Sequence, residues 1–182
     1  AIDDAQTLTG HTLSVSAGTY IENVVVDKSL NIKGPNFNIS PNGGSRVAEA
    51  ILIPATTDID GLVMMKVEAS NVSIDGFTFN GDNTALTSTF LGTNGADLDA
   101  YEAVGVVLNN ISSLTVSHNI IKNISYFGVD LLGDGSGSAP ATTGHLIHDN
   151  LIQDLGTYAA GSGIAFWGGG VLLYNNQYAR VT

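Results

Sequence analysis

Apolar and polar residues alternate in five segments of this chain, and the five segments can be aligned without gaps. They begin at Leu30, Val72, Leu114, His145 and Val171. The most regular apolar column of the alignment consists of Ile32, Ile74, Val116, Ile147 and Leu173. Alternation with a period of two residues indicates β-strands, and the segment starts recur after 42, 42, 31 and 26 residues. The pattern predicts a repeat with a fixed strand core and loops of variable length.

A second apolar strand is predicted in each repeat, at residues 62–67, 104–108, 127–132 and 163–167. One aligned column of these strands is Leu62, Val106, Val129 and Ile164. Repeats of strand and turn stack on one another because each buries its apolar face against its neighbours. We therefore expect one all-β solenoid of about five coils. Residues 1–11 form its cap, residues 12–182 its coils, and the ranges 38–61 and 80–103 are predicted insertions.

Asparagine occupies one column of the alignment three times, at Asn119, Asn150 and Asn176. Its side chain has two donors and two acceptors, so an inward Asn at a turn can bond both the turn backbone and the next Asn. The alternative is that Asn recurs because it tolerates left-handed turn conformations. Three Asn residues in register between apolar columns favour a structural ladder.

The composition indicates an extracellular protein. The chain has 182 residues with 22 Gly, no Cys, and 6 basic against 17 acidic residues, for a net charge of -11. This charge argues against binding to nucleic acid, which needs basic patches. No apolar run approaches the roughly 20 residues of a membrane span, so no membrane insertion is expected. Few Lys and abundant Thr, Ser, Asn and Gly are typical of a bacterial secreted or cell-surface protein.

Residues 12–34 read TLSVSAGTYIENVVVDKSLNIKG. The runs at 17–20, 22–24 and 28–30 resemble the first coil of the pectin lyase-like superfamily, and the resemblance extends over the later repeats. It implies a right-handed parallel β-helix whose open end is capped by an amphipathic helix. In this chain the matching cap is residues 1–8, with Ile2, Ala5 and Leu8 on one face. Because one fold carries many functions, the resemblance does not by itself imply an activity.

The catalytic motifs of that superfamily are missing. Its lyases use an Arg base with calcium-binding carboxylates, and this chain has only Arg46 and Arg180. The NTD, GHG, RIK, QDT and DFIFG motifs of related hydrolases and esterases are also absent. Asp130 is expected to be a solvated residue facing outward, and no second acid shares its column, whereas acid–base hydrolysis uses two carboxylates. We assign no catalytic residue.

The loop between Phe79 and Val106 carries Asp82, Asp97, Asp99 and Glu102. Several carboxylates near a glycine are typical of calcium loops, because the ion binds several oxygens. The spacing lacks the full pattern of any defined calcium loop, so a solvated acidic loop is the alternative. No cofactor is required, and calcium is the candidate ion.

Exposed aromatic rings with nearby amides and carboxylates can bind sugars. Tyr126, Tyr158 and Trp167, together with Asp130, are therefore candidate glycan-binding residues. The histidines indicate less. His118 and His148 lie one position apart in the alignment and are expected to point in different directions, which argues against a shared metal. His145 is expected to be a buried neutral residue.

Two function classes remain. The first is a non-catalytic extracellular module of a larger protein, a rigid scaffold or adhesin that binds polysaccharide or another cell-surface glycan. The alternative is a polysaccharide lyase or glycoside hydrolase acting on acidic polysaccharide, which suits a chain of net charge -11 only if calcium bridges the charges. The last repeat runs in register to Tyr178, so the C-terminal coil is expected to stack on further coils or to self-associate.

Overall fold

A computed structural model describes residues 1–92, 94–107, 111–133, 142–156, 168–174, 176–177 and 179–182. Within these ranges the fold is all-β, without helices, and every pair of named strands is parallel. The strands in chain order are β1 Thr12–Ser14, β2 Gly18–Ile21, β3 Val24–Val26, β4 Asn31–Lys33, β5 Ala50–Ile53, β6 Asp58–Val67, β7 Ser73–Asp75, β8 Thr78–Asn80, β9 Ala100–Val107, β10 Thr115–Ser117, β11 Ile120–Gly133, β12 Thr142–Thr143, β13 Leu146–His148, β14 Leu151–Leu155, β15 Gly169–Leu173, β16 Asn176–Gln177 and β17 Arg180–Val181.

The first sheet contains one short strand from each successive repeat, in the order β1-β4-β7-β10-β13-β17. Its central register pairs Ile74 with Val116 and Val116 with Ile147, as the apolar columns predicted. The prediction for Leu173 is wrong, because Val181 is the residue that pairs with Ile147. Leu173 pairs with Leu131 in the other large sheet.

The second sheet has nine strands, and the 14-residue strand β11 joins its two parts. The first part of β11 pairs with β8 and β14, and its second part pairs with β9 and β15. The sheet therefore curls along β11. Its observed column is Met65, Val104, Val129 and Val171, so the predicted alignment of Leu62 and Val106 with Val129 is wrong.

The hydrophobic core lies between the sheets. Both contribute fully buried side chains, including Ile74 and Val116 from the first and Phe79, Val129 and Leu131 from the second. Burying one such side chain contributes about 1.5–3 kcal/mol. Because the strands are short, stability depends on this burial being repeated from one strand to the next.

Two predicted segments differ from expectation. Residues 1–8 form turns rather than a helix, held partly by the Lys28 ammonium, which donates to the Ile2 carbonyl at 2.7 Å. Leu8 is exposed. The range 38–61, predicted as an insertion, contributes β5, which pairs with both β2 and β8.

Candidate functional site

A residue in the left-handed backbone conformation follows each of three neighbouring strands in the first sheet. Gly76, His118 and Asp149 come directly after β7, β10 and β13, with φ angles of 82°, 53° and 51°. The chain turns sharply at these positions. The next residue, Asn119 or Asn150 in the later two turns, is thereby directed to the inside of the turn.

Asn119 is fully buried and bonds in both directions along the stack. Its Oδ1 accepts from the Phe77 amide at 2.9 Å, and its Nδ2 donates to the Ile74 carbonyl at 3.1 Å. The same Nδ2 also donates to Asn150 Oδ1 at 3.1 Å. Each polar atom of this amide therefore has a partner.

Asn150 repeats this pattern one strand later. Its Oδ1 accepts from the Asn119 amide at 2.9 Å, and its Nδ2 donates to the Val116 carbonyl at 2.8 Å. We call Asn119 and Asn150 the asparagine pair. Asn176 was aligned with these two residues, and that register is wrong, because the backbone of Asn176 pairs with Thr142. The side chain of Asn176 lies outside the described part of the chain.

Two histidines and two aspartates meet on the outside of the same turns. His118 Nδ1 lies 3.0 Å from Asp75 Oδ1, and His148 Nδ1 lies 2.8 Å from Asp149 Oδ2. His118 Nε2 lies 4.0 Å from the same Asp149 oxygen. The two imidazole rings pack edge to face with centroids 5.3 Å apart. We call these four residues the histidine corner.

The expectation that His118 and His148 point apart is therefore wrong. His118 occupies the left-handed position after β10, whereas His148 is the last residue of β13. A residue with a left-handed backbone conformation points its side chain in a different direction from a strand residue. His118 and His148 differ by one position in the alignment, and this difference in direction brings their rings together. No local pattern indicated this conformation at His118, because only the first of the three turn positions, Gly76, is a glycine.

The loop before β5 is hydrogen-bonded to the histidine corner through Arg46. Arg46 donates to the His118 carbonyl at 2.8 Å and to both oxygens of Glu49, at 2.7 and 2.9 Å. Burial by itself would raise the pKa of Glu49. The hydrogen bond from Arg46 and the charge of Arg46 outweigh burial, so the pKa of Glu49 is lowered. The hydrogen bond from His148 likewise lowers the pKa of Asp149.

A second group of polar residues lies within the second sheet. Glu102 on β9 and Asp130 on β11 are 2% and 3% exposed, and we call them the carboxyl pair. Burial, then the charge of Asp130 and a hydrogen bond to it, raise the pKa of Glu102 to about 9. Burial also raises the pKa of Asp130. Glu102 is therefore protonated at neutral pH, and its hydroxyl donates to Asp130.

One oxygen atom of each residue in the carboxyl pair lacks a hydrogen bond among the described residues. Glu102 Oε2 and Asp130 Oδ1 have no hydrogen-bond partner among the described residues. A glycine makes room for the pair, because a Cβ at Gly105 would lie 2.5 Å from Glu102 Oε2. The expectation that Asp130 is a solvated outward residue is wrong, and the sequence contained no second acid in its column to indicate the pairing.

The acidic residues predicted as calcium ligands do not act as one group. Glu102 turns to Asp130, and the buried Asp99 accepts from the Thr57 hydroxyl at 2.6 Å and from the Asn83 amide at 3.0 Å. Burial, followed by the charges of Asp99 and Asp97, raises the pKa of Asp82. Asp82 and Asp97 thus remain as the candidate calcium ligands.

Of the candidate glycan-binding aromatics, Tyr158 and Trp167 lie outside the described residues. Tyr126 stacks on Tyr101 with ring centroids 4.4 Å apart and planes 9° from parallel. Burial and the neighbouring Tyr126 raise the pKa of Tyr101. One face of Tyr126 is therefore covered, and it contacts the edge of Phe127 as well.

The chain is similar in sequence to a known cell-surface protein. The chain is 28% identical over 133 residues to a protein named cell surface glycoprotein from Methanothermus fervidus. The match covers 73% of this chain but 16% of that protein. No family model matches the chain, and no solved structure matches it significantly.

Among the described residues, no helix has the length and apolar character needed to cross a membrane.

Proposed function

We propose that this chain is a right-handed parallel β-helix module of a cell-surface protein, and that it acts as a rigid scaffold. The observation that carries the proposal is the register of the first sheet. Equivalent residues pair from β1 through β17, one strand from each repeat, with their apolar side chains directed into a shared core. Such a stack resists bending because every short strand is hydrogen-bonded on both sides, except at the ends.

The relative named cell surface glycoprotein supports the location. This chain spans about 16% of that protein's length, which fits a module that is one part of a longer surface structure. The net charge of -11 also suits a surface that stays hydrated and does not adhere to polyanions. The bacterial origin expected from composition has no further support.

Catalysis on acidic polysaccharide receives less support. The carboxyl pair is the arrangement that most resembles an acid–base pair, but both residues are buried. A polysaccharide would need to reach them, and glycosidases use carboxyl groups that flank an accessible substrate. We therefore assign the carboxyl pair to the structure of the second sheet.

The proposal further includes glycan binding by the tyrosine rings of the second sheet. Tyr126 and the Tyr101 ring stacked on it are both half-buried, and their accessible parts form the aromatic surface proposed for this contact. Flat aromatic faces stack on sugar rings, and the phenol oxygens supply hydrogen bonds. The scaffold function does not depend on this contact.

Surface location can be tested with an antibody raised against this chain. The antibody should label intact source cells as strongly as permeabilised cells, with a cytoplasmic protein as the control that is labelled only after permeabilisation. Labelling that requires permeabilisation would contradict the proposal.

The scaffold role can be separated from glycan binding and catalysis by replacement. An unrelated β-helix with the same number of coils, substituted for this chain in the source cell, should restore normal surface assembly. Failure of that replacement, together with release of reducing ends or unsaturated products from a polysaccharide panel, would favour the enzyme. The panel should be run with and without calcium.

A further inference from the structure

We propose that the histidine corner binds a divalent transition-metal ion, with His118, His148 and Asp149 as ligands and Zn²⁺ as the matching ion. One ligand atom from each of these three residues lies within 4.8 Å of the others. In the part of the chain that the structure describes, this is the one group of three or more His, Asp, Glu or Cys residues that meets this distance.

The distances are close to those of a zinc site. Zinc binds nitrogen and oxygen at about 2.0–2.2 Å in a tetrahedron, which places neighbouring ligand atoms about 3.3 Å apart. Here Asp149 Oδ2 lies 2.8 Å from His148 Nδ1 and 4.0 Å from His118 Nε2. The Asp149 side chain is 56% exposed and free to rotate toward a position between the two rings, and the imidazole nitrogens, within 4.8 Å of each other, would move closer when the ion binds.

Asp75 holds His118 in the orientation that a metal requires. Asp75 Oδ1 bonds His118 Nδ1 at 3.0 Å and also accepts from the Asn38 amide at 3.1 Å. Because Nδ1 is occupied, Nε2 is the nitrogen that faces Asp149. A carboxylate behind a metal-binding imidazole sets its tautomer and increases its basicity, so Asp75 is a positioning residue.

The backbone around these ligands is fixed before any ion binds. Arg46 donates to the His118 carbonyl at 2.8 Å, and the asparagine pair holds the residues that follow both turns. A site whose ligands are already oriented loses little conformational entropy when the ion arrives.

The ligand types select the class of metal. Imidazole suits zinc, copper and nickel, whereas calcium and magnesium prefer a shell of oxygen atoms. Three protein ligands leave a fourth tetrahedral position for water or for a group from another molecule. The side chains of His118 and His148 are 14% and 24% exposed, so an ion can reach them from solvent.

Calorimetric titration with ZnCl₂ is the first test. The chain should bind one Zn²⁺, and His118→Gln and His148→Gln should each reduce the affinity at least tenfold. His11→Gln is the matched control, because His11 is exposed in the N-terminal turns, and it should bind zinc as the parent does. Asp75→Asn should weaken binding about 10–100-fold without abolishing it, as for other residues behind a metal ligand.

A second test uses the unmodified chain and does not depend on the folding of any variant. The chain has four histidines, so their imidazole proton signals can be followed separately by NMR. Zinc should move the signals of His118 and His148 and leave those of His11 and the buried His145 in place, and calcium should move none of the four. The proposal is overturned if the unmodified chain binds no zinc, or if zinc moves the signal of His11 instead.

Discussion

The asparagine pair, in two turns beside the first sheet, and the carboxyl pair, on neighbouring strands of the second sheet, each bring two polar side chains together, but only the asparagine pair satisfies its hydrogen bonds. Asn119 has a partner for each polar atom. In the carboxyl pair, Glu102 Oε2 and Asp130 Oδ1 lack one among the described residues. The difference follows from side-chain chemistry. An amide has donors and acceptors and can extend a ladder strand by strand, whereas two carboxyl groups share one useful proton.

The two pairs also differ in how their charge depends on pH. The asparagine pair is neutral at every pH and needs no ion. The carboxyl pair must retain a proton in the folded state, because burial and mutual repulsion raise the pKa of Glu102. Its contribution to stability is therefore fully present below the unfolded pKa of Glu102 and is lost as pH rises toward about 9.

The largest expected effect comes from breaking the asparagine pair. Asn119→Ala should lower the free energy of unfolding by about 3 kcal/mol, because it leaves the Phe77 amide and the Ile74 carbonyl unpaired. Asn150→Ala should cost about 2 kcal/mol, since Asn150 is only half-buried. Urea unfolding measures both values.

The control for this prediction is Asn42→Ala. Asn42 is exposed and its side chain donates one long hydrogen bond, 3.3 Å to the Asn150 carbonyl, so the loss of that bond should change stability by less than about 0.5 kcal/mol. Equal effects of Asn42→Ala and Asn119→Ala would mean that the asparagine pair has no special structural role.

Replacing one member of the carboxyl pair should stabilise the protein at alkaline pH. Glu102→Gln keeps a donor to Asp130 but removes the carboxyl group that must take up a proton on folding, so at pH 8 it should raise the free energy of unfolding by about 2 kcal/mol. At pH 4, where Glu102 is protonated in both states, the gain should disappear. Thermal unfolding across this pH range provides the measurement, and a gain that is constant with pH would contradict the assignment.

Glu68→Gln provides the comparison for that experiment. Glu68 forms a surface ion pair with Lys66 at 2.6 Å, and such pairs contribute about 0–1 kcal/mol. Its replacement should leave the pH dependence of stability close to that of the parent.

Arg46→Gln should have a smaller effect with the opposite pH dependence. The variant loses the paired hydrogen bonds to Glu49 and should cost about 1.5 kcal/mol at pH 7. The pKa of Glu49 is lowered in the folded state. The stability that this ion pair contributes is therefore present above the unfolded pKa and is lost as pH falls through the folded one. Guanidinium unfolding at pH 7 and pH 3 should show the cost shrinking at pH 3.

Calcium should have the smallest effect. With Asp99 and Glu102 engaged elsewhere, Asp82 and Asp97 offer few ligands, so millimolar calcium should stabilise the chain by about 0.4 kcal/mol or less. An Asp82→Asn/Asp97→Asn variant should show no calcium-dependent shift in melting temperature. A large shift in the parent that the variant abolishes would restore the predicted calcium site.

Much of the first sheet could be predicted from the alternation of apolar residues. Ile74, Val116 and Ile147 lie in one column of the sequence and in one register of the structure. Asn119 and Asn150 follow at a constant distance from that column and are hydrogen-bonded to each other. A period of two residues and a fixed offset survive changes in loop length, so these features are readable without coordinates.

The assignment of the last repeat needed the tertiary structure. The segment beginning at Val171 alternates as the earlier segments do, yet Leu173 joins the second sheet and Val181 joins the first. Strands of both sheets share the same alternation, because both face one core. The pattern therefore identifies a strand without identifying its sheet.

The sequence by itself determined that this protein is built from parallel-repeating β-strands with an apolar interior and an acidic surface. Only the tertiary structure decided which polar side chains meet. His118 reaches His148 because a left-handed backbone turns its side chain toward the next strand. Glu102 reaches Asp130 because the curl of the second sheet buries both residues beside Gly105. Side-chain direction and burial depend on backbone geometry and on neighbours distant in the chain, and neither is encoded in a local pattern.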